Sequence, residues 1–388
     1  MFKMKKKLCY FLVCVCCMFT YTANAASQNI PNLPQFDAKS YILIDAKTGK
    51  HLASKNPDMR LHPASITKIM AVYVSFQSLK KGQIQLEDKV LISKKAWMMK
   101  GSLMFIEVGE YVSVHDLLKG IIIQSGNDSS VALAEHIAGT EESFVSMMNH
   151  EASNLGLSNT FYMNSSGMPD ADHYTSAADI AIISRALILD FPNLYKMFSQ
   201  KKYTYNNITQ RNRNRLLWLD PSVDGIKTGH TDSAGYCLAA SSQVGNMRVI
   251  SVVLGTKNTR SRRNITKKLL RHGHRFYKTY HLYQSGEILG TPRVWMGKEQ
   301  VVSIAPDKDV FITIPTGTFD SLKTHININP EIIAPFATNE ILGRIQITQD
   351  GVEIGNVPLL AQRGVSKGGF FRRMYDRVAL FYKNLLDE

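Results

Sequence analysis

Residues 62–70 read HPASITKIM and place Lys68 three residues after Ser65, where apolar helical spacing begins. Side chains three apart on a helix share a face. Ser65 and Lys68 would then lie in contact, a hydroxyl nucleophile beside an amine able to act as its base. A serine hydroxyl is a weak nucleophile near neutral pH, and lysine becomes a base only when its ammonium is destabilised. The bland alternative is a Ser65 cap and a solvated Lys68. Spacing alone does not decide, because about one or two S-x-x-K matches are expected by chance in a chain of this length. Three occur: Ser65 to Lys68, Ser78 to Lys81 and Ser199 to Lys202.

Two further motifs discriminate among them. Ser125-Gly126-Asn127 follows the apolar run IIIQ, and Lys227-Thr228-Gly229 precedes the strand-like GYCLAAS. Each has a decoy, Ser27-Gln28-Asn29 at the expected mature terminus and Lys47-Thr48-Gly49 in an expected hairpin turn. Only Ser65, Ser125 and Lys227 give S-x-x-K, S-x-N and K-T-G in succession, each at the edge of a regular element.

The elements that must position these motifs follow from periodicity. Residues 40–55 predict a hairpin, with alternation through Ile42 and Ile44 and a turn at 47–50. Helical spacing covers 65–79, 115–138, 141–155 and 176–190, strand character returns at 235–242 and 248–255, and a helix is expected near 261–280. From 282 to 362, β-branched runs such as VFITI, THININ and GRIQIT alternate with turn residues, as in a small β domain. In the terminal segment, Phe370, Phe371, Met374, Tyr375, Val378, Phe381, Tyr382, Leu385 and Leu386 fall on one half of a helix. Arg372, Arg373, Asp376, Arg377, Lys383 and Asn384 take the other half, with Leu380 the exception. Such a helix suits a membrane interface, and packing onto the protein's own body is the competing reading.

At the other end, a basic start, the apolar stretch from Leu8 to Phe19 and Ala23-Asn24-Ala25 have the three parts of a secretory signal. The mature chain is expected to begin near Ala26. The signal holds four lysines and no acid, so the net charge of +14 becomes +10 after removal. Four of the five cysteines also lie there, leaving Cys237 alone, so no disulfide forms within the mature chain. Cys237 on an apolar strand reads as a packed residue. Roughly 360 mature residues suggest two domains. The expected organisation is 1–25 signal peptide, 26–280 catalytic domain, 281–365 β-rich domain and 366–388 amphipathic helix.

PASITK, GSLMFIEVGEYVSVHDLLKGIIIQSGND, NSSGM and DGIKTGHTDSAGY together resemble the low-molecular-mass penicillin-binding proteins that are serine-type D-alanyl-D-alanine carboxypeptidases. The resemblance covers residues 36–280 closely and implies an α+β fold of the penicillin-recognising serine transferase type. An antiparallel sheet packed by helices is followed by a small all-β domain and the terminal helix. The implied reaction is acyl transfer. Ser65 attacks the carbonyl between two D-alanines of a peptidoglycan stem peptide, the terminal D-alanine departs, and water hydrolyses the acyl-enzyme. β-Lactams would enter the same path. Localisation would be periplasmic, on the outer face of the cytoplasmic membrane, with the terminal helix as peripheral anchor.

Burial and the like charge of Lys227 would push Lys68 toward its neutral form, making it the candidate base, although base assignment among such enzymes is disputed. Ser125 would relay the proton to the leaving amine, and Asn127 would hold the substrate amide and orient Lys68. Lys227 and Thr228 would dock a carboxylate, and Gly229 would let a peptide lie against the strand. The resemblance also implies an oxyanion hole from the backbone N–H groups of Ser65 and His230. It further implies a carboxylate contact from Arg262, for which Arg260 or Arg263 could substitute. No metal or cofactor is expected, since His272 and His274 would face different directions. Nine Lys or Arg and no acid lie in residues 257–278, yet export and the lack of an interleaved aromatic platform argue against nucleic acid.

Three other functions share these features. A class A β-lactamase has S-D-N where this chain has Gly126, and an activating acid where NSSGM stands. A DD-endopeptidase or transpeptidase would use the same residues. A membrane-associated penicillin-binding scaffold would retain the β domain and helix with weak activity.

Overall fold

The runs SYILID, GYCLAASSQV and MRVISVVLGT are apolar on both phases of the strand alternation, the pattern of strands covered on two faces. The computed structural model describes residues 30–387, so the expected signal peptide and the S-x-N at 27–29 lie outside the described residues. The three apolar runs and two further segments form a five-stranded antiparallel sheet from β1 (Ser40–Asp45), β2 (His51–Lys55), β3 (Val223–Thr231), β4 (Gly235–Val244) and β5 (Met247–Thr256) in the order β2-β1-β5-β4-β3. All six residues of β1 are buried. Its alternation therefore separates two cores rather than core from solvent: Ile42 and Ile44 face one, Tyr41 and Leu43 the other.

The larger core lies between the sheet and α1 (Lys68–Lys80), α2 (Val114–Lys119), α3 (Asn127–Ala138), α4 (Glu141–Asn154) and α5 (Ala177–Asp190). The smaller one is closed by α6 (Thr259–Phe276). Side-chain caps start several of these helices: Thr140, Ser176 and Asn258 each accept from the backbone N–H three residues on, satisfying donors that a helix start leaves free. Cys237 is fully buried in β4, as expected.

Two expected helices differ from the observed ones. The periodicity of 115–138 is interrupted: after α2 comes a wider π turn, Gly120–Gln124, and Ser125 has φ 71°. The apolar spacing persists through the break because both halves face one core, so the pattern concealed it. The helix expected to run to 280 ends at Phe276, and Tyr277–Tyr283 is strand β6. Its aromatic and β-branched residues pair with β7 (Val310–Pro315) instead of continuing the basic helical face.

β7, β8 (Leu322–Ile328), β9 (Ile341–Gln349) and β10 (Val352–Ala361) belong to a second assembly with its own core around Ile304, Ile314, Ile345 and Leu359. The decoy K-T-G secures the junction. Asp45 is fully buried and accepts from the Thr48 N–H and hydroxyl at 2.7 and 2.8 Å and from the Thr279 hydroxyl at 2.7 Å. Thr48 also meets the Thr313 hydroxyl at 2.9 Å, and Lys50 Nζ donates to the Thr313 carbonyl at 2.9 Å. This turn thus ties the hairpin to both β6 and β7.

The terminal helix α7 (Phe370–Asp387) lies on the β assembly by its polar half. Asp376 has no exposed surface, accepts from the Met296 N–H at 2.8 Å and pairs with Arg293 and Arg372 at 3.2 and 3.0 Å. Arg293 stacks on Trp295. Leu380, the one apolar residue on that half, is 9 % exposed, whereas Phe371 and Leu386 on the opposite half are 81 % and 83 % exposed. The helix therefore packs on the body and still presents its apolar half outward. Asp376→Ala would remove charge-assisted bonds and is expected to loosen the helix by about 2 kcal/mol. The readout is faster amide exchange across 370–387 with unchanged exchange in the central sheet; equal protection would remove Asp376 from this role.

Candidate active site

Ser65 sits in a 3-10 turn, Ala64–Thr67, that leads directly into α1. The turn makes no side-chain cap, so Ser65 is not a capping residue. Lys68 begins the α-helix proper and is completely buried. Its Nζ lies 3.2 Å from Ser65 Oγ, 2.7 Å from Asn127 Oδ1 and 2.5 Å from the Ser166 carbonyl. The three contacts match the three donors of an ammonium. Burial nevertheless lowers its pKa to about 7; Asp128 opposes the shift, Arg213 adds to it and Glu141 opposes it. Near neutral pH the group thus divides between ammonium and free amine, and the free amine can accept the Ser65 proton. Arg213 presses on Lys68 as a like charge, and Lys68 and Lys227 also repel each other, an interaction that works against the charged form of both.

The second motif lies where α2 and α3 are separated. Ser125 is buried in the left-handed conformation, and its hydroxyl has no hydrogen-bond partner among the described residues. Asn127 Oδ1 accepts from Lys68 Nζ, and its Nδ2 donates to the Lys100 carbonyl at 2.6 Å. Asp128 completes the anchor: its carboxylate accepts the N–H groups of Met104 and Phe105 at 2.9 Å and of Ile106 at 3.4 Å. Residues 100–106 are thereby pinned against α3, with Phe105 held at φ 70°.

The third motif is on β3, at the edge of the sheet. Lys227 and Thr228 are buried. The Lys227 pKa is well below its ordinary value, first by burial and then by Lys68, Arg213 and Arg262. An arriving carboxylate would reverse that destabilisation. A Cβ on Gly229 would stand 2.9 Å from the Pro63 carbonyl and 3.2 Å from the Ile66 nitrogen. Glycine here lets the Ser65 turn approach the strand, a use distinct from admitting a peptide. The His230 ring is exposed and stacked on Tyr236, so it is not hydrogen-bonded to Ser65 as a triad base would be. Arg262 is mostly buried and gives one Nη to the Gly229 and Cys237 carbonyls at 3.0 and 3.1 Å, bracing the strand while lining a cavity with Thr228 and Arg213.

Four contributors were not foreseen. Ser166 acts through its backbone carbonyl, which carries no side-chain signature beyond NSSGM. Asp128 is the last residue of SGND, and its signal was that adjacency. Arg213 belongs to RNRNR (211–215), in which arginines are exposed and asparagines buried; that alternation was the available cue. His173, buried, neutral and lowered to about 4 mainly by burial, meets Thr67 Oγ1 at 2.9 Å and braces residues 164–173 against the Ser65 turn. Within that segment Gly167 has φ 84°, and a Cβ there would collide with the Ala64 carbonyl. Gly167→Ala should displace the Ser166 carbonyl from Lys68. Because small misplacements of catalytic groups cost about 100-fold, penicillin labelling of this variant should slow by that order; labelling at the wild-type rate would show that the close approach is dispensable.

A family model described as D-alanyl-D-alanine carboxypeptidase matches residues 24–258, and one described as penicillin-binding protein 5, C-terminal domain, matches residues 277–367. The chain is 42 % identical over 380 residues to the D-alanyl-D-alanine carboxypeptidase DacA of Escherichia coli (strain K12), covering 95 % of this chain and 94 % of that protein. It is 42 % identical over 371 residues to DacC of the same organism, covering 94 % and 92 %. The solved structure of penicillin binding protein 5 from Haemophilus influenzae matches with a TM-score of 0.83 at 40 % identity, covering 87 % of this chain and all of that one. Fold, motif order and likeness along nearly the whole length agree: the chain belongs to the peptidase S11 family of D-alanyl-D-alanine carboxypeptidases.

Proposed function

We propose that this protein removes the terminal D-alanine from peptidoglycan stem peptides through an acyl-enzyme on Ser65, and that β-lactams acylate the same residue. The observation that carries this reading is the contact between Ser65 Oγ and a buried Lys68 whose pKa is lowered to about 7. As a free amine, Lys68 takes the Ser65 proton during attack on the carbonyl. Ser125, whose hydroxyl is buried and unpaired among the described residues, passes a proton to the departing amine. Asn127 keeps Lys68 aimed at Ser65. Lys227 and Thr228, with Arg213 and Arg262 behind them, receive the carboxylate of the leaving residue, and Gly229 allows the nucleophile's turn to reach that strand. The backbone N–H groups of Ser65 and His230 receive the oxyanion. The acyl-enzyme is an ester that water opens to restore Ser65.

A β-lactamase of the S-D-N type is disfavoured by a specific arrangement. The carboxylate that reaches the NSSGM segment, Glu141, is bonded to the Ser165 N–H and hydroxyl and paired with Lys95. It is committed to holding that segment rather than to activating water.

Release of D-alanine from an acyl-D-Ala-D-Ala peptide tests the reading. It should vanish in Ser65→Ala, and its rate should rise with pH through about 7, because the base form of Lys68 grows from a minor to the dominant fraction across that point. Lys68→Arg, protonated throughout, should lose the activity. Release that persists without Ser65 would overturn the acyl-enzyme route, and a rate that falls through this range would overturn Lys68 as the base.

The protein is read as exported, with 1–25 as signal peptide, 26–280 and 281–365 as the two mature domains and 366–388 as a peripheral anchor on the outer face of the cytoplasmic membrane. Support comes from α7, whose apolar half is exposed while its polar half is seated. Among the described residues no helix is long and apolar enough to cross a membrane. Deleting residues 366–388 should abolish co-sedimentation with anionic phospholipid vesicles while leaving D-alanine release intact; undiminished co-sedimentation would remove α7 from this role.

A further inference from the structure

The cavity beside the docking strand carries more positive charge than one substrate carboxylate requires. About 350 Å³ in volume, it is lined by Thr228 and by Arg213, Arg215, Arg262 and Arg263. The RNRNR segment is locked in place from within. Asn212 Oδ1 accepts from the Asn214 N–H at 2.9 Å, and Asn214 Nδ2 donates to the Gly225 carbonyl at 2.8 Å. The arginines are thereby left on the outer phase. Among the described residues Arg213 uses only Nε, on the Gln124 carbonyl at 3.0 Å, and neither Nη group is engaged. Among the described residues, none of these four arginines, nor Lys227, lies within ion-pair distance of a carboxylate. Like charges gathered without a counterion repel one another, and an anion placed among them relieves that repulsion.

The terminal carboxylate of the substrate belongs to the residue that leaves, and it docks at Thr228, which also lines this cavity. The side chain of the leaving residue therefore has the cavity within its reach. We propose that the cavity is a subsite for a second carboxylate on that side chain, so that dicarboxylic D-residues are released faster than neutral residues of the same length. The inference rests on the carboxypeptidase reading above. The chemistry is unchanged: Ser65 Oγ bonds to the D-alanyl carbonyl, the acyl–nitrogen bond breaks, and the D-dicarboxylic acid departs with the transferred proton as a free amine.

The experiment uses the full chain and three acyl-D-Ala-X peptides, with X as D-Ala, D-Gln or D-Glu, and follows release of X. D-Glu and D-Gln match in length and differ in charge. A charge-assisted contact supports a kcat/KM for D-Glu about tenfold above D-Gln. In the double variant Arg215→Ala, Arg263→Ala that ratio should fall toward one, with the loss carried by KM. Fluorescent penicillin labelling reports whether the variant is folded; if the double variant does not label, the single exposed Arg215→Gln carries the same comparison. D-Glu no faster than D-Gln in the wild type, with D-Ala released normally, overturns the subsite and leaves the carboxypeptidase reading standing. Release of none of the three residues by protein that labels with penicillin overturns that reading. A D-Glu to D-Gln ratio unchanged in the folded variant overturns the assignment to Arg215 and Arg263.

Discussion

Taking one lysine out of water is the constraint around which this molecule is built. A buried ammonium is tolerated only with its donors satisfied, and Lys68 obtains its acceptors from its own turn through Ser65 and from two remote parts of the chain, the start of α3 through Asn127 and the 164–173 segment through Ser166. The two remote acceptors are themselves held from behind. Asn127 is fixed by the Lys100 carbonyl, and the neighbouring Asp128 secures the segment to which Lys100 belongs. Ser165, next to Ser166, is held by Glu141. The same burial that demands these contacts makes the amine available as a base, so packing and chemistry share one cause.

Sequence reasoning reached this centre because its chemistry is carried by side chains at short spacings whose order is distinctive. It identified Ser65, Lys68, Ser125, Asn127 and the K-T-G strand, as well as the sheet and most helices. It did not reach contributions made by backbone, such as the Ser166 carbonyl, since a carbonyl leaves no trace in residue type. The break at Ser125 escaped because apolar periodicity reports which side faces the core, and that side is the same before and after the break. RNRNR carries no apolar signal, so its alternation acquires meaning only from the burial of Asn212 and Asn214 between exposed arginines. The resemblance implies a carboxylate contact from Arg262, and the strand carbonyls that also engage part of its guanidinium leave no mark in residue type.

The decoy motifs are also instructive. Lys47-Thr48-Gly49 has the letters of the docking strand but occupies a hairpin turn, where its threonine engages Asp45 and Thr313. Ser78 and Lys81, on the far end of α1, line a separate surface hollow with His150 and Glu151. Residue types recur by chance, and the elements that present them determine which copy meets a partner.

The seating of α7 has a consequence for reach. A helix joined to the body by a slack tether would leave the catalytic cleft free to sample many heights and tilts above whatever surface held the helix. Here the buried Asp376 contacts and the Thr48–Thr313 junction form successive bonded joints between the helix, the β assembly and the sheet that carries Lys227. With the outward apolar face resting on a bilayer, such a chain of joints would act as a standoff. It would set the altitude at which peptides can be trimmed and confine the enzyme's work to one stratum of the wall.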